Sequence, residues 1–270
     1  MALQPVLSEI SPSVGDIKMS AYYSEQIYDE KNADGTHIHS CFEIYANVSG
    51  DVSFLHDREI YDIQPFDIVL SHPSDVHYCI YHSKCAHGHF CVWFAGEAIS
   101  EFLVRRGIKG RIRPSADNRE KIMNILNLLC SDDTDRFIRM AKLVELITLL
   151  DEKEGKAVPE RSSNKMRLIL KYIDDHLVEL SGIGDVAKEF FIAESTVYKM
   201  FHTQLGISFN KYIETRRLAL AERLLREDRS VTDACFLSGF TDCSRFIAKF
   251  KEKFGVTPLK YKKMMFKGKG

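Results

Sequence analysis

Between residues 18 and 95 apolar and polar positions alternate in short runs: "HIHSCFEIYANV", "VSFL", "FDIVL", "VHYCIY" and "HFCVWF". The turn signals "SGD", "HDRE", "QPFD" and "HPSD" separate them. Alternation puts successive side chains on opposite faces of an extended chain. Several such runs, closely spaced, predict short strands closing into an all-β sandwich or barrel.

From about residue 96 the period lengthens. "NREKIMNILNLLC" places Ile122, Ile125, Leu126 and Leu129 on one helical face, and "RFIRMAKLVELITLL" does the same with Ile138, Ala141, Leu143, Leu146 and Leu150. Two amphipathic helices are expected, packed on the β domain or forming a dimer contact. The stretch "DEKEGKAVPERSSN" has no apolar period, carries Gly and Pro, and reads as a linker. Beyond it come only short helical patterns, ending a compact all-α region. The expected division is a barrel over 1–96, a helical layer over 97–153, a linker over 154–163 and an all-α domain over 164–270.

Charge sharpens that division. Residues 160–270 carry 21 Lys+Arg against 14 Asp+Glu, whereas residues 1–159 carry 16 against 24. Halves of opposite sign suggest different partners, with nucleic acid the candidate for the basic one. Seven cysteines at irregular spacing, with no basic-then-apolar leader at the N-terminus, point to reduced thiols in a cytoplasm rather than a secreted disulfide framework. No apolar run is long enough to predict a membrane span.

Within the basic half two segments repeat one plan. "DVAKEFFIAESTVYKMFHTQLG" and "SVTDACFLSGFTDCSRFIAKFKEKFG" each give a short helix, a tight turn, and a second helix ended by glycine (Gly206, Gly255). Ser230 with Asp233 has the spacing of a capping box, and Thr241 is the expected N-cap of the last of these helices. In the first unit Val197, Phe201 and Leu205 fall inward, leaving Ser195, Tyr198, Lys199 and His202 outward. In the second, Phe246, Phe250 and Phe254 fall inward, leaving Arg245, Ala248, Lys249 and Glu252 outward, with Cys243 and Ser244 at the N-terminal end. Such a face is a solvated surface or a major-groove reader; two of them in one basic domain favour the reader.

Residues 183–263 resemble the DNA-binding domain of the AraC/XylS family of bacterial transcription factors. The match runs through "DVAKEFF", "STVYKMFHTQLGISFNKYI" and "RRLALAERLL", then "VTDACFLSGFTDCSRFIAKFKEKFGVTPLKY", with its closing Gly255-x-x-Pro258-x-x-Tyr261. The resemblance implies two helix-turn-helix units joined by a long helix near 208–226, both second helices entering the major groove of double-stranded DNA. It puts the base-reading places on Ser195, Tyr198 and Lys199, and on Cys243, Ser244, Arg245 and Ala248, with His202 and Lys249 on the same faces. It also implies a homodimer and contact with RNA polymerase. Ala193 stands where the family usually has a capping Ser, and Ala248 where it often has Arg. Lys188, Lys211, Arg216, Arg217 and Lys251 are candidates for phosphate contacts.

Eight of the ten histidines lie between His37 and His89. On a continuous strand His37, His39, Cys41, Glu43, Tyr45 and Asn47 would share one face, either in water or lining a barrel interior. The spacing His37-x-His39-x3-Glu43-x6-Gly50 resembles the first motif of the cupin barrel, and "QPFDIVLSHPSDVHY" its second, with His77 in the last ligand position. The first motif lacks its leading Gly, and the second is one residue short between Pro73 and His77. Many AraC/XylS regulators carry a cupin-like barrel before the DNA-binding domain, so the two resemblances agree. His37, His39, Glu43 and His77 could hold a divalent transition metal. Together with Tyr45 they could equally bind a small polar effector without metal. Cys79, Cys85, Cys91, His82, His87 and His89 form a further group, read as a sulfur-rich β core with exposed histidines.

The sequence therefore predicts a multidomain α+β chain: a cupin-like β-barrel, amphipathic helices, then an all-α domain with two helix-turn-helix units. The expected function is sequence-specific transcription regulation governed by a small polar effector, a sugar or related metabolite. The rival expectations are a metal-dependent cupin enzyme, or a metal or thiol sensor, fused to a DNA-binding domain.

Overall fold

The computed structural model describes residues 17–27, 37–151 and 164–266; the expected linker, 154–163, lies outside them. Among the described residues eight strands form two sheets. β1 (Lys18–Ile27), β7 (Ala86–Ala95), β2 (Phe42–Ser49), β5 (Ile68–Ser71) and β8 (Gly110–Ile112) lie side by side in that order. β4 (Glu59–Ile63), β3 (Val52–His56) and β6 (His77–Tyr81) make the second sheet, and every pairing is antiparallel. Tyr45, Val52, Phe54, Ile63, Val69 and Cys91 fill the space between the sheets.

The alternation of β2 decides what lies on each side. Phe42, Ile44 and Ala46 face three helices, α1 (Glu97–Arg106), α2 (Ala116–Cys130) and α3 (Arg136–Asp151). Ile122, Ile125, Leu126 and Leu129 of α2 and Leu143, Leu146 and Leu150 of α3 are buried in the same cluster. That burial is the main stabilisation of this layer, since each fully buried Leu or Ile contributes about 1.5–3 kcal/mol. Glu43, Tyr45 and Asn47 point the other way, into the β interior.

The all-α half contains α4 (Asn164–Asp175), α5 (Ile183–Glu189), α6 (Glu194–Met200, prolonged by a π-helical turn Phe201–Leu205), α7 (Phe209–Arg226), α8 (Val231–Leu237), α9 (Cys243–Phe254) and α10 (Pro258–Phe266). α5–α6 and α8–α9 are the two expected helix-turn-helix units, and α7 is the long helix between them. Gly206 and Gly255 end α6 and α9 in the left-handed conformation, φ 70° and 74°. Ser230 caps α8 by accepting from the Asp233 amide. The cap of α9 is Asp242 rather than Thr241: its carboxylate accepts from Ser244 and Arg245 N–H, a role that a charged acceptor one residue closer fills better.

The two halves pack together. Leu55, Ile60, Tyr78 and Ile80 of the smaller sheet join the core of the first helix-turn-helix unit, and Ile38 and Val76 join that of the second. β1, β4, β8, α1 and α10 fall outside the runs that the sequence singled out. β4 is a five-residue strand from the last residue of the turn signal "HDRE" up to "QPFD", and α10 starts on Pro258, which suits a first helical position because its missing N–H has no partner there anyway.

Candidate functional site

The strand predicted over 37–47 begins only at Phe42; residues 37–41 approach β6 as an irregular stretch tied by one bridge, His37 to His77. The shared face therefore breaks. His39, Glu43 and His77 come together, and their ligand atoms lie within 4.8 Å of one another, all buried. His39 Nε2 stands 2.6 Å and His77 Nε2 3.2 Å from Glu43 Oε2. His37 stays outside this set: its ring stacks on that of His77 at a centroid distance of 6.1 Å, and its backbone pairs with that of His77.

Two further contacts fix the cluster. His39 Nδ1 meets Cys41 O at 3.0 Å and His77 Nδ1 meets Asp75 O at 3.0 Å. A carbonyl only accepts, so both Nδ1 atoms carry the proton and both Nε2 atoms face the carboxylate. Trp93 Nε1 donates to the same Glu43 oxygen at 2.7 Å. The site thus needs positive charge opposite Glu43. Burial lowers the His39 pKa, but its hydrogen bonds to Cys41 and Glu43 and their charges outweigh burial and hold it up at about 10. Burial raises Glu43, yet the charge of His77 and the hydrogen bonds from His39 and His77 keep it well below the usual carboxylate range. An imidazolium–carboxylate pair results.

At the far end of the same interior, Tyr45 Oη is 2.7 Å from His87 Nε2 and donates to Asn47 Oδ1 at 3.1 Å. The His87 and His89 rings stack at 4.6 Å, and Tyr45 stacks on His89 at 5.3 Å. The sequence reading of His87 and His89 as exposed is corrected here: both are buried, because β7 turns positions 87, 89, 91 and 93 toward the opposite sheet. His82 does stay exposed, 2.8 Å from Ser53 Oγ. Burial pushes His87 down to about 3 and His89 to about 4, so both are neutral near pH 7. Among the described residues no protein group hydrogen-bonds Asn47 Nδ2, His89 Nδ1 or Ser71 Oγ, although all three side chains are buried. Buried polar atoms left unspent by their own protein are a place where a ligand can supply the partner. A cavity of about 460 Å³ opens beside this end, between Gly50, Val52, Asp62, Ile63 and Ala86.

Trp93, Asn47, His87 and His89 contribute to this interior but lie outside the cupin-motif positions. The signal for two of them was present: "HFCVWF" puts His89 and Trp93, with Cys91 between them, on one face.

In the all-α half the outward faces are as expected. Ser195, Tyr198, Lys199 and His202 on α6 and Ser244 and Arg245 on α9 are exposed, while Cys243 and Lys249 are half-buried. Val197, Phe201, Leu205, Phe246 and Phe250 have essentially no exposed surface. Ala193 occupies the N-cap of α6, where its methyl offers no acceptor. A groove of about 700 Å³ lies between the units, with Lys211, Arg217, Arg245 and Lys249 among its walls. Lys249 is already paired with Glu252 at 3.0 Å and Glu214 at 3.5 Å. Two phosphate candidates are corrected. Arg216 is held by Asp57 and Asp174 against the barrel, and Arg217 spends its guanidinium on Leu177 O and Leu180 O.

The profile of the AraC-like ligand binding domain family matches residues 20–152, and that of a helix-turn-helix domain family matches residues 186–264. The transcriptional activator RhaS of Escherichia coli is 28% identical over 116 residues, 43% of this chain and 42% of its own. LumQ, a probable transcriptional regulator of Photobacterium leiognathi, is 30% identical over 116 residues, 43% and 44% of the two chains. The chain thus spans less than half the length of the curated relatives it matches. Among solved structures, ToxT of Vibrio cholerae O395 aligns over 94% of this chain and 99% of its own, at 13% identity and a TM-score of 0.40. No helix among the described residues is long and apolar enough to cross a membrane.

Proposed function

The chain belongs to the AraC/XylS family of regulators, with a ligand-binding barrel and a double helix-turn-helix domain, and from that premise we propose that it is a cytoplasmic, effector-responsive transcription regulator. The observation that carries the reading is the pairing of two exposed recognition faces with a barrel interior that keeps polar atoms unspent. On the DNA side, Ser195, Tyr198, Lys199 and His202 read one major-groove segment, and Cys243, Ser244, Arg245 and Lys249 the next. On the sensing side a small, uncharged polar effector, of the sugar class or a related metabolite, is taken between the aromatic walls. Asn47 and His89 are its hydrogen-bond partners, and Tyr45, His39, Glu43 and His77 lie deeper along the same interior. The relatives named above are transcriptional regulators, and the barrel is read as a sensor, not a catalyst. Residues 97–153 provide the contact for a homodimer, and RNA polymerase is a further partner.

The deciding experiment is a thermal-shift screen of neutral sugars and small metabolites against the full chain, followed by titration of a selected DNA duplex with and without each hit. A ligand that binds only the folded state raises its melting temperature. A hit that shifts melting and changes DNA affinity supports the reading; no hit across the class, or hits with unchanged DNA affinity, removes it.

A second reading rests on the donor set. Two imidazole Nε2 atoms with their Nδ1 positions spent on carbonyls, facing one carboxylate, fit a divalent transition metal. His39, Glu43 and His77 would hold it, and it would supply a Lewis-acid anchor for an effector oxygen. Elemental analysis of the purified protein separates the two: one metal per chain, lost in His77→Ala, favours the metal-assisted sensor.

A further inference from the structure

Residues 37–41 and 72–77 each serve two sides of the molecule at once. In the first stretch His39 faces Glu43, whereas its neighbour Ile38 is 1% exposed and buried in one cluster with Ala234, Phe246 and Phe250 of the second helix-turn-helix unit, Leu218 of α7 and Tyr261 of α10. In the second stretch His77 faces Glu43, whereas its neighbour Val76 is fully buried in that same helical cluster. The stretches are fastened together by His37 N–H to His77 O at 2.8 Å, His77 N–H to His37 O at 3.2 Å, and Ser74 N–H to His39 O at 3.0 Å. Ser74 Oγ also reaches across to Glu222 of α7, a fully buried carboxylate that accepts from Tyr261 Oη.

We propose that these two stretches are a lever by which the state of the His39–Glu43–His77 cluster sets the seating of the second DNA-binding unit. The proposal rests on the reading of the barrel as a sensor and specifies how that sensor is read out. Anything that inserts at the cluster must part His39 from Glu43, now 2.6 Å apart, and so displace residues 38–39. Ile38 sits in a close-packed core that does not deform continuously, so a displaced backbone forces a different seating. The first unit is addressed otherwise. Its barrel contacts, Leu55, Tyr78 and Ile80, come from inside the paired strands β3 and β6, and Tyr78 Oη donates to Leu205 O at 2.9 Å. A hydrogen-bonded ladder on that side makes a stiff anchor, and the irregular residues 38–41 and 72–76 on the other make the moving part.

Coupling of this kind is reciprocal: what the cluster does to DNA affinity, DNA must do to the cluster. The chain has a single tryptophan, Trp93, and it donates to Glu43, so its emission reports the cluster directly. The full chain is first used to select a tight duplex from a random-sequence library. Saturation with that duplex is expected to change Trp93 emission in wild type. In Ile38→Ala/Val76→Ala the emission change should fall below a third, while anisotropy still shows the duplex bound. Glu43→Gln should change duplex affinity at least about fivefold in the wild-type background, the lower range for linked sites, and less than twofold in the double-alanine background. Should that pair of truncations unfold the chain, Ile38→Val alone should give a graded reduction.

Unchanged Trp93 emission at saturation in wild type overturns the lever, as does an equal change in the truncated variants. No effector enters this experiment, so a failed ligand screen removes the sensing reading and leaves this result standing on its own.

Discussion

Arg216 on the long helix α7 donates from Nη1 to Asp57 Oδ1 at 2.8 Å, tying the recognition domain to the tip of the β3–β4 hairpin. The same guanidinium meets Asp174 of α4 at 2.9 Å, and Asp57 is also 3.0 Å from Lys109. Burial raises Asp57, but the charges of Arg216 and Lys109 more than reverse this and keep it ionised. At Asp174 burial prevails over the charge of Arg216 and moves its pKa up. Asp57 is thus the firmer partner of the two.

Arg216→Leu takes one cation from both carboxylates, leaving Asp57 with Lys109 and Asp174 with Arg58. Because neither side chain is fully enclosed and Lys109 remains, the expected loss is about 1–3 kcal/mol, below the 3–5 typical of a fully buried pair. Urea unfolding measures it. Asp57→Asn in the Arg216→Leu background should restore part of the loss, giving a coupling energy of at least about 0.5 kcal/mol. Additive losses in that cycle would mean that the two residues do not interact.

The recognition faces make a different prediction. Lys199→Ala and Arg245→Ala should each weaken specific binding by about 1–3 kcal/mol per lost base contact. Arg216→Gln should leave the salt dependence of binding unchanged, because that guanidinium already serves Asp57 and Asp174 and neutralises no phosphate. A residue that does contact phosphate changes the slope of log K against log salt by about 0.9 on removal. Fluorescence anisotropy at several salt concentrations checks all three. A shallower slope for Arg216→Gln would place Arg216 on the DNA.

What could be read in advance follows from the range of each interaction. Helix faces are set by local period, so Val197, Phe201, Phe246 and Phe250 were legible as core before any fold was known. The interior of the barrel was half legible. Alternation placed Glu43, Tyr45 and Asn47 together correctly, but extended the same face back to His37 across a stretch that is not strand. Where a strand starts is fixed by its partners, here β5 and β7, and those pairings are distant in sequence. The junction between halves was illegible for the same reason. Arg216 lies 159 residues from Asp57, and a basic residue on an amphipathic helix looks alike whether it meets phosphate or a buried aspartate.

Four histidines contribute opposing slopes to the pH profile of stability. His37 and His87 are lowered to about 3 and His89 to about 4, in each case mainly by burial. Below the ordinary value of about 6.5 the unfolded chain takes up protons that the folded chain refuses, so stability falls as pH drops from about 6.5 toward 3–4. Each such group contributes at most about 1.4 kcal/mol per pH unit. His39 has the opposite sign: raised to about 10, its contribution is complete below about 6.5 and disappears as pH climbs through 10. Chemical unfolding between pH 4 and 10 should therefore show a maximum near 6.5. His87→Asn/His89→Gln should flatten the acid limb only, and His39→Gln the alkaline limb only. An acid limb of unchanged steepness in the double variant would assign acid unfolding to other groups.

His89 sets stability against function. Its Nδ1 is buried and meets no partner among the described residues, and an unsatisfied buried polar atom costs about 1–3 kcal/mol. His89→Phe removes that atom, keeps a flat ring against Tyr45, and should raise the stability of the ligand-free chain by about 1 kcal/mol. The same substitution removes a hydrogen-bond partner of the proposed effector, so the melting-temperature rise given by any hit from the screen should shrink or vanish. Gain of stability with loss of ligand response is what a functional site held at a cost predicts. A variant that is less stable, yet responds to ligand as wild type does, would make His89 an ordinary member of the core and move the effector toward His39 and Glu43.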